Sequence, residues 1–128
     1  MSSAIAPDND AKAAWWDDGA TVPLSVVVAT TKAWPEIEPC LESLHQQAQA
    51  VGAEVVVGDG HGQGLPPDVA ERYPEVTWLK CPGGYVYFLR ELAMTQTHGA
   101  VVAVTEDHCT VMPGWCERML KAHRDHPD

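Results

Sequence analysis

The chain has 128 residues, carries 18 Asp and Glu against 8 Lys and Arg for a formal net charge of −10, and is 45% hydrophobic. That length predicts one domain, which buries roughly two-thirds of the surface its unfolded chain exposes. The acidity excludes binding to nucleic acid or an anionic membrane by charge alone, because 8 scattered cations cannot build a patch that neutralises several phosphates. A phosphate ligand would need a divalent metal beside it.

Cys40, Cys81, Cys109 and Cys116 lack the C-x-x-C spacing of zinc and redox motifs. The N-terminus has no basic segment leading into an apolar one, and no apolar run approaches the ~20 residues that span a bilayer. These features predict a soluble, cytoplasmic chain with reduced thiols and no membrane span.

Residues 1–21 have no apolar periodicity and place Asp8, Asp10, Asp17 and Asp18 against Lys12, the composition of a flexible acidic arm. Trp15 and Trp16 are its exception, and one of them is expected to cap the core. The domain proper is assigned to residues 22–128. Its first apolar run, Leu24 to Ala29, is followed by Ile37, Leu41, Leu44, Ala48 and Val51 at helical spacing, with Pro39 tolerable only in the first turn of that helix. A second run, Glu54 to Val57, precedes a short helix over Asp68 to Arg72. A third, Val76 to Leu79, leads into a helix from Val86 to His98 that buries Leu89, Leu92 and Ala93 and stops at Gly99. The fourth, Ala100 to Thr105, precedes a helix after Pro113 with Trp115, Met119 and Ala122 on its inner face. The runs are short, and three of them are strongly β-branched. They read as strands buried on both faces of a parallel sheet, and the alternation with helices predicts an α/β layered domain.

Ligands of open α/β sheets bind beyond the carboxyl ends of the strands, which makes three junctions informative. The first strand is followed by Ala29-Thr30-Thr31-Lys32, two hydroxyls and a cation. The second is followed by Gly58-Asp59-Gly60-His61-Gly62, where glycines allow close backbone approach and Asp59 could accept from a base or from ribose hydroxyls. Pro66-Pro67 stands where a dinucleotide fingerprint would open its helix, which excludes that motif. The fourth strand is followed by Glu106-Asp107-His108. On extended backbone Glu106 and His108 would project together and Asp107 oppositely, giving oxygen and nitrogen donors for Mn²⁺ or Mg²⁺. An arbitrary E-D-H is most simply a polar turn, but one at a strand end favours a ligand site.

With these junctions assembled, the chain resembles the nucleotide-binding half of family-2 glycosyltransferases, which have the GT-A fold. LSVVVATTKAW is similar to that family's first strand and P-T-Y-N turn, and EVVVGDGHG to its second strand and D-D-x-S segment. FLRELAMTQTHGAVVAVTEDH is similar to its arginine-containing helix, following strand and D-x-D, and MPGWCERML to the next helix. The resemblance implies a Rossmann-like three-layer α/β/α domain with a mostly parallel sheet. It further implies a nucleoside diphosphate sugar donor, commonly UDP-linked, an unidentified acceptor hydroxyl, and a divalent metal that offsets charge on the leaving diphosphate. Carried over residue by residue, Ala29, Thr30, Asp59, Arg90 and Asp107 would surround the nucleotide, and Glu106 and His108 would hold Mn²⁺ or Mg²⁺. Three departures stand out: Ala29 and Lys32 in the first turn, Gly58 in place of the first acid of the second-strand pair, and E-D-H in place of D-x-D.

In that family the acceptor site and the catalytic base of inverting members follow the D-x-D region, so the chain is expected to lack the acceptor half and to be inactive alone. The alternatives are a non-catalytic nucleotide-binding or oligomerising scaffold module, with a homo-oligomer completing the sheet, and a phosphoacceptor receiver domain. The receiver reading is weakened by Ala29-Thr30-Thr31 where acids are required. A zinc site from Cys109, Cys116, His123 and His126 has the wrong cysteine spacing.

Overall fold

The computed structural model describes residues 20–126. The expected docking of Trp15 or Trp16 lies outside the described residues, as does all of the acidic arm before Ala20. Four strands, β1 (Val22–Thr30), β2 (Glu54–Asp59), β3 (Val76–Lys80) and β4 (Gly99–Glu106), form one parallel sheet in the order β3-β2-β1-β4. The connecting helices are α1 (Glu38–Val51), α2 (Pro67–Arg72) and α3 (Val86–Met94), and α4 (Trp115–Asp125) follows β4.

Alternation along the strands sets the layers. Val26 and Val28 of β1 and Val55 and Val57 of β2 point to one face, where they pack with Leu41, Leu44 and Ala48 of α1, Val69 of α2 and Cys116 of α4. Val27 and Val56 point to the other face and pack with Ala93 of α3 and Leu79. The expected three-layer α/β/α arrangement is therefore present, with α3 as the single helix of the second layer.

Position in the sheet decides how completely each strand is covered. The central strands β1 and β2 are buried on both faces, as their composition suggests. The edge strand β4 is not: Val101 and Ala103 are buried, whereas Val102 and Val104 are each 40% exposed on the α3 side. An apolar run thus reads like a central strand although only one of its faces is covered.

Helix boundaries follow local chemistry. Pro39 falls at the start of α1, where its missing N–H costs nothing, and Gly52 ends that helix at φ 75°. The third helix ends at Met94, four residues before the expected His98. There the Thr95 hydroxyl donates to Leu92 O at 2.6 Å and the Thr97 hydroxyl to Met94 O at 2.8 Å, the local bonding by which such side chains compete with helix continuation. Gly99 opens β4 instead of capping α3, because any Cβ there would lie 2.6 Å from the Ser25 backbone nitrogen. Leu92 is only half-buried. In α4 the inner face is Cys116 with Trp115, Met119 and Leu120, and Ala122, expected there, is exposed.

At the amino ends of the strands Glu54 accepts from the Ser25 hydroxyl and the His98 backbone N–H, each at 2.6 Å, and the Ser25 hydroxyl accepts from Gly99 N–H at 2.9 Å. Burial alone would raise the Glu54 carboxyl, but these bonds outweigh it and hold the group below the usual carboxylate range. This cluster fixes the end of the sheet opposite the candidate site.

Candidate functional site

The parallel register brings three junctions to one level. Ala29 lies beside Gly58 on one side and Glu106 on the other, and Thr30 lies beside Asp59. The end of β1 is thereby flanked by the residues that follow β2 and β4.

The backbone after β4 is not extended. Cys109 N–H donates to Glu106 O at 3.0 Å, closing a tight turn over Asp107 and His108. Glu106 and His108 meet through this turn rather than through strand alternation: Glu106 Oε1 is 3.3 Å from His108 Nε2. The other Glu106 oxygen is 3.8 Å from the Arg90 guanidinium on α3. Asp107 turns towards β1 and accepts from the Thr30 hydroxyl at 2.8 Å, and its second oxygen is 3.5 Å from His108 Nδ1. Thr30 is 1% exposed and also accepts from Lys32 N–H at 3.2 Å. A continuous polar chain therefore runs from Thr30 through Asp107, His108 and Glu106 to Arg90. Beside it opens a cleft of about 280 Å³ whose lining includes Ala29, Thr31, Lys32, Glu36, Asp107 and His108.

Arg90 forms an ion pair with an acid, as a helix-surface arginine commonly does. Its partner is Glu106, not the neighbouring Glu91, and its Nε is buried without a hydrogen-bond partner. A buried donor left unpaired is costly.

Asp59 is built differently from the expectation. It is 1% exposed, and one oxygen accepts from His61 and Gly62 N–H at 2.9 Å each, while the other accepts from Gly64 N–H at 3.1 Å and the Trp78 indole N–H at 2.9 Å. Four donors fill a carboxylate's four acceptor positions, so the carboxylate organises the glycine loop from within instead of presenting a free acceptor to a base. Burial pushes its pKa up, but the bonds from Gly62, Trp78, Gly64 and His61 outweigh it and hold the group below its ordinary value. Trp78 joins the site from β3. Its signal is an indole N–H on a strand, which must find an acceptor once buried.

Gly58, which stands where the family has an acid, has a packing reason. A Cβ there would lie 2.7 Å from the Leu89 backbone oxygen, so the close approach of α3 to β2 requires glycine.

The four-residue zinc arrangement of Cys109, Cys116, His123 and His126 is not formed. Cys116 is fully buried in the core, and His123 bonds the Met119 carbonyl within its own helix. Among the described residues, Glu106, His108 and Cys109 bring ligand atoms within 4.8 Å of one another. The residues present therefore fit a divalent ion at the end of β4.

The chain matches the family model described as glycosyl transferase family 2 over residues 25–128. No curated protein matches it. Among solved structures, residues 1–349 of S. aureus TarS superpose with a TM-score of 0.67 at 22% sequence identity, covering 83% of this chain and 33% of that one. The chain thus spans about a third of the length of that similar structure, and the likeness is one of fold. The match over residues 25–128, on a parallel α/β sheet, shows that the chain belongs to glycosyl transferase family 2.

Proposed function

We propose that this domain binds a nucleoside diphosphate sugar, UDP-linked in the simplest case, at the carboxyl ends of β1, β2 and β4, for transfer of the sugar to an acceptor hydroxyl. The observation that carries this reading is the chain Thr30, Asp107, His108, Glu106 and Arg90, of which Asp107 and His108 line the cleft and Glu106 and Arg90 are paired outside its lining. Arg90 and Lys32 offer donors to the diphosphate. Thr30 fixes Asp107, and Ala29 leaves the cleft floor open beside them. The loop shaped by Asp59 presents backbone groups near the nucleotide. Glu106 and His108 would hold Mn²⁺ or Mg²⁺, which supplies charge compensation to the leaving diphosphate. In a chain of net charge −10 that compensation is needed before a diphosphate can approach two carboxylates.

The test is calorimetry with UDP in the presence and absence of Mn²⁺ on the folded protein. Metal-dependent binding is expected, and its absence for every nucleoside diphosphate tried would overturn the reading.

A second reading, the oligomerising module, is favoured by the open side of β4. Among the described residues β4 is an edge strand with a neighbour on one side, and Val102 and Val104 are exposed on it. The occupant would be the β4 edge of a second copy, and light scattering that returns a monomer at micromolar concentration removes this option.

A further inference from the structure

We propose that Glu106, His108 and Cys109 form a three-ligand site selective for Zn²⁺ over Mn²⁺ and Mg²⁺, with the fourth position open. The inference uses the metal site of the proposed function, and it adds a thiolate ligand and a different ion. It does not depend on which nucleotide binds.

The turn explains why three residues so close in sequence can converge. The Cys109 N–H to Glu106 O bond of 3.0 Å folds the chain back at the strand end, bringing the Cys109 sulfur towards the Glu106 carboxylate and the His108 ring. Two ligands held tetrahedrally at zinc bond lengths of about 2.0–2.3 Å are roughly 3.3–3.7 Å apart. Glu106 Oε1 and His108 Nε2 already stand at 3.3 Å, and all three ligand atoms lie within 4.8 Å. Closing the remaining gap takes side-chain rotation of about 1 Å in residues that are exposed or half-buried.

The surroundings match a metal-bound imidazole. A ligating histidine ordinarily hands its second ring N–H to a carboxylate, which fixes its tautomer and orientation. Here His108 Nδ1 faces Asp107 Oδ1 at 3.5 Å while Nε2 faces the site, and Asp107 is itself held by the Thr30 hydroxyl at 2.8 Å. On the acid side, one Glu106 oxygen faces Arg90 at 3.8 Å and the other faces His108 Nε2 at 3.3 Å. The donor set is one sulfur, one nitrogen and one oxygen. Mg²⁺ demands hard oxygen ligands in an octahedron, and Mn²⁺ lies at the weak end of the divalent affinity order, whereas Zn²⁺ takes this mixture in tetrahedral geometry. Three protein ligands with one open position is the pattern of a zinc ion that still accepts a ligand oxygen, such as one from a diphosphate.

The experiment uses the full chain, reduced and stripped of metal, without nucleotide. Zn²⁺ is titrated in competition with a chromophoric chelator, and Co²⁺ serves as a spectroscopic substitute. One zinc per chain is expected, along with a Co²⁺ adduct showing sulfur-to-cobalt charge-transfer absorption in the near ultraviolet. Cys109→Ser should abolish that band and weaken zinc binding at least tenfold, whereas Cys81→Ser, which alters the other half-exposed thiol, should change neither. Circular dichroism confirms that both variants fold. A Co²⁺ adduct without the band, equal zinc affinity in Cys109→Ser, or displacement of zinc by equimolar Mn²⁺ would each overturn the proposal. Measuring UDP binding with Mn²⁺ on the same samples separates the two readings, since Mn²⁺-dependent UDP binding without zinc selectivity removes this inference alone.

Discussion

The Thr30 hydroxyl donates to Asp107 at 2.8 Å, tying the last residue of β1 to the turn after β4 across 77 positions of sequence. Because Asp107 also faces His108, this bond transmits the position of the central strand to the proposed metal ligand. Thr30→Val keeps the shape of the side chain and removes the donor. We expect a loss of about 2 kcal/mol in chemical denaturation, the scale of a hydrogen bond to a charged carboxylate, because the change also removes the acceptor of Lys32 N–H. Metal-dependent UDP binding should weaken about tenfold, roughly 1.4 kcal/mol, and Thr30→Ser should restore both. Equal nucleotide affinity in the valine and serine variants would show that the bond is structural only.

The glycine at position 58 is committed to packing. Its missing Cβ would stand 2.7 Å from the Leu89 backbone oxygen, and backbone cannot swing away as a side chain can. Restoring the family's acid with Gly58→Asp is therefore expected to destabilise the fold and not to improve nucleotide binding. The cost should reach about 2 kcal/mol or more, as for overpacking in a dense core. A Gly58→Asp protein with undiminished stability in urea denaturation would show that α3 can retreat from β2.

These two sites mark what could be read from the sequence. The strands and the three junctions were legible because β-branched runs bounded by Gly, Pro and polar residues leave few alternatives, and ligand residues of such sheets cluster at strand ends. The family match over residues 25–128 agrees with the resemblance carried by those segments. What stayed hidden depends on atoms distant in sequence. Asp59 reads as an available acid, yet three loop N–H groups and the Trp78 indole occupy it. Glu106 and His108 do converge, but through a turn that also recruits Cys109, because the strand ends one residue before the turn begins. The open face of β4 was invisible because Val102 and Val104 have the composition of a central strand, and composition does not encode which strand is at the edge.

Acid sensitivity should trace to Asp59. Its hydrogen bonds hold the folded-state pKa below the unfolded value of about 3.9, so its stabilisation is complete above that pH and is lost as pH falls through the folded value. Glu54, lowered in the same direction by Ser25 and His98, adds to the decline in the same acid window. Asp59→Asn replaces one acceptor oxygen by a donor and leaves at least one loop or indole N–H without a partner, which should lower stability at pH 7 by about 2 kcal/mol. Its acid limb should also be shallower than that of the native chain. Denaturant midpoints measured from pH 7 down to pH 3 check both effects, and an unchanged slope in the variant would assign the acid sensitivity to other groups.

The four thiols should fall into two classes. Cys40 is 1% exposed, and burial, with the neighbouring Asp107 and Cys109, pushes its pKa up to about 12. Cys116 is fully buried, and burial pushes it up to about 11. The thiolate is the reactive form, so both should be inert to an aromatic disulfide reagent at pH 8 until the protein unfolds. Cys81 and Cys109 are half-buried and should react in the native state. Added Zn²⁺ should slow one of these two, identified as Cys109 by its loss in Cys109→Ser, while Mn²⁺ or Mg²⁺ should leave both rates unchanged. Protection of Cys81 instead of Cys109, or equal protection by all three ions, would place the metal elsewhere or remove sulfur from its coordination.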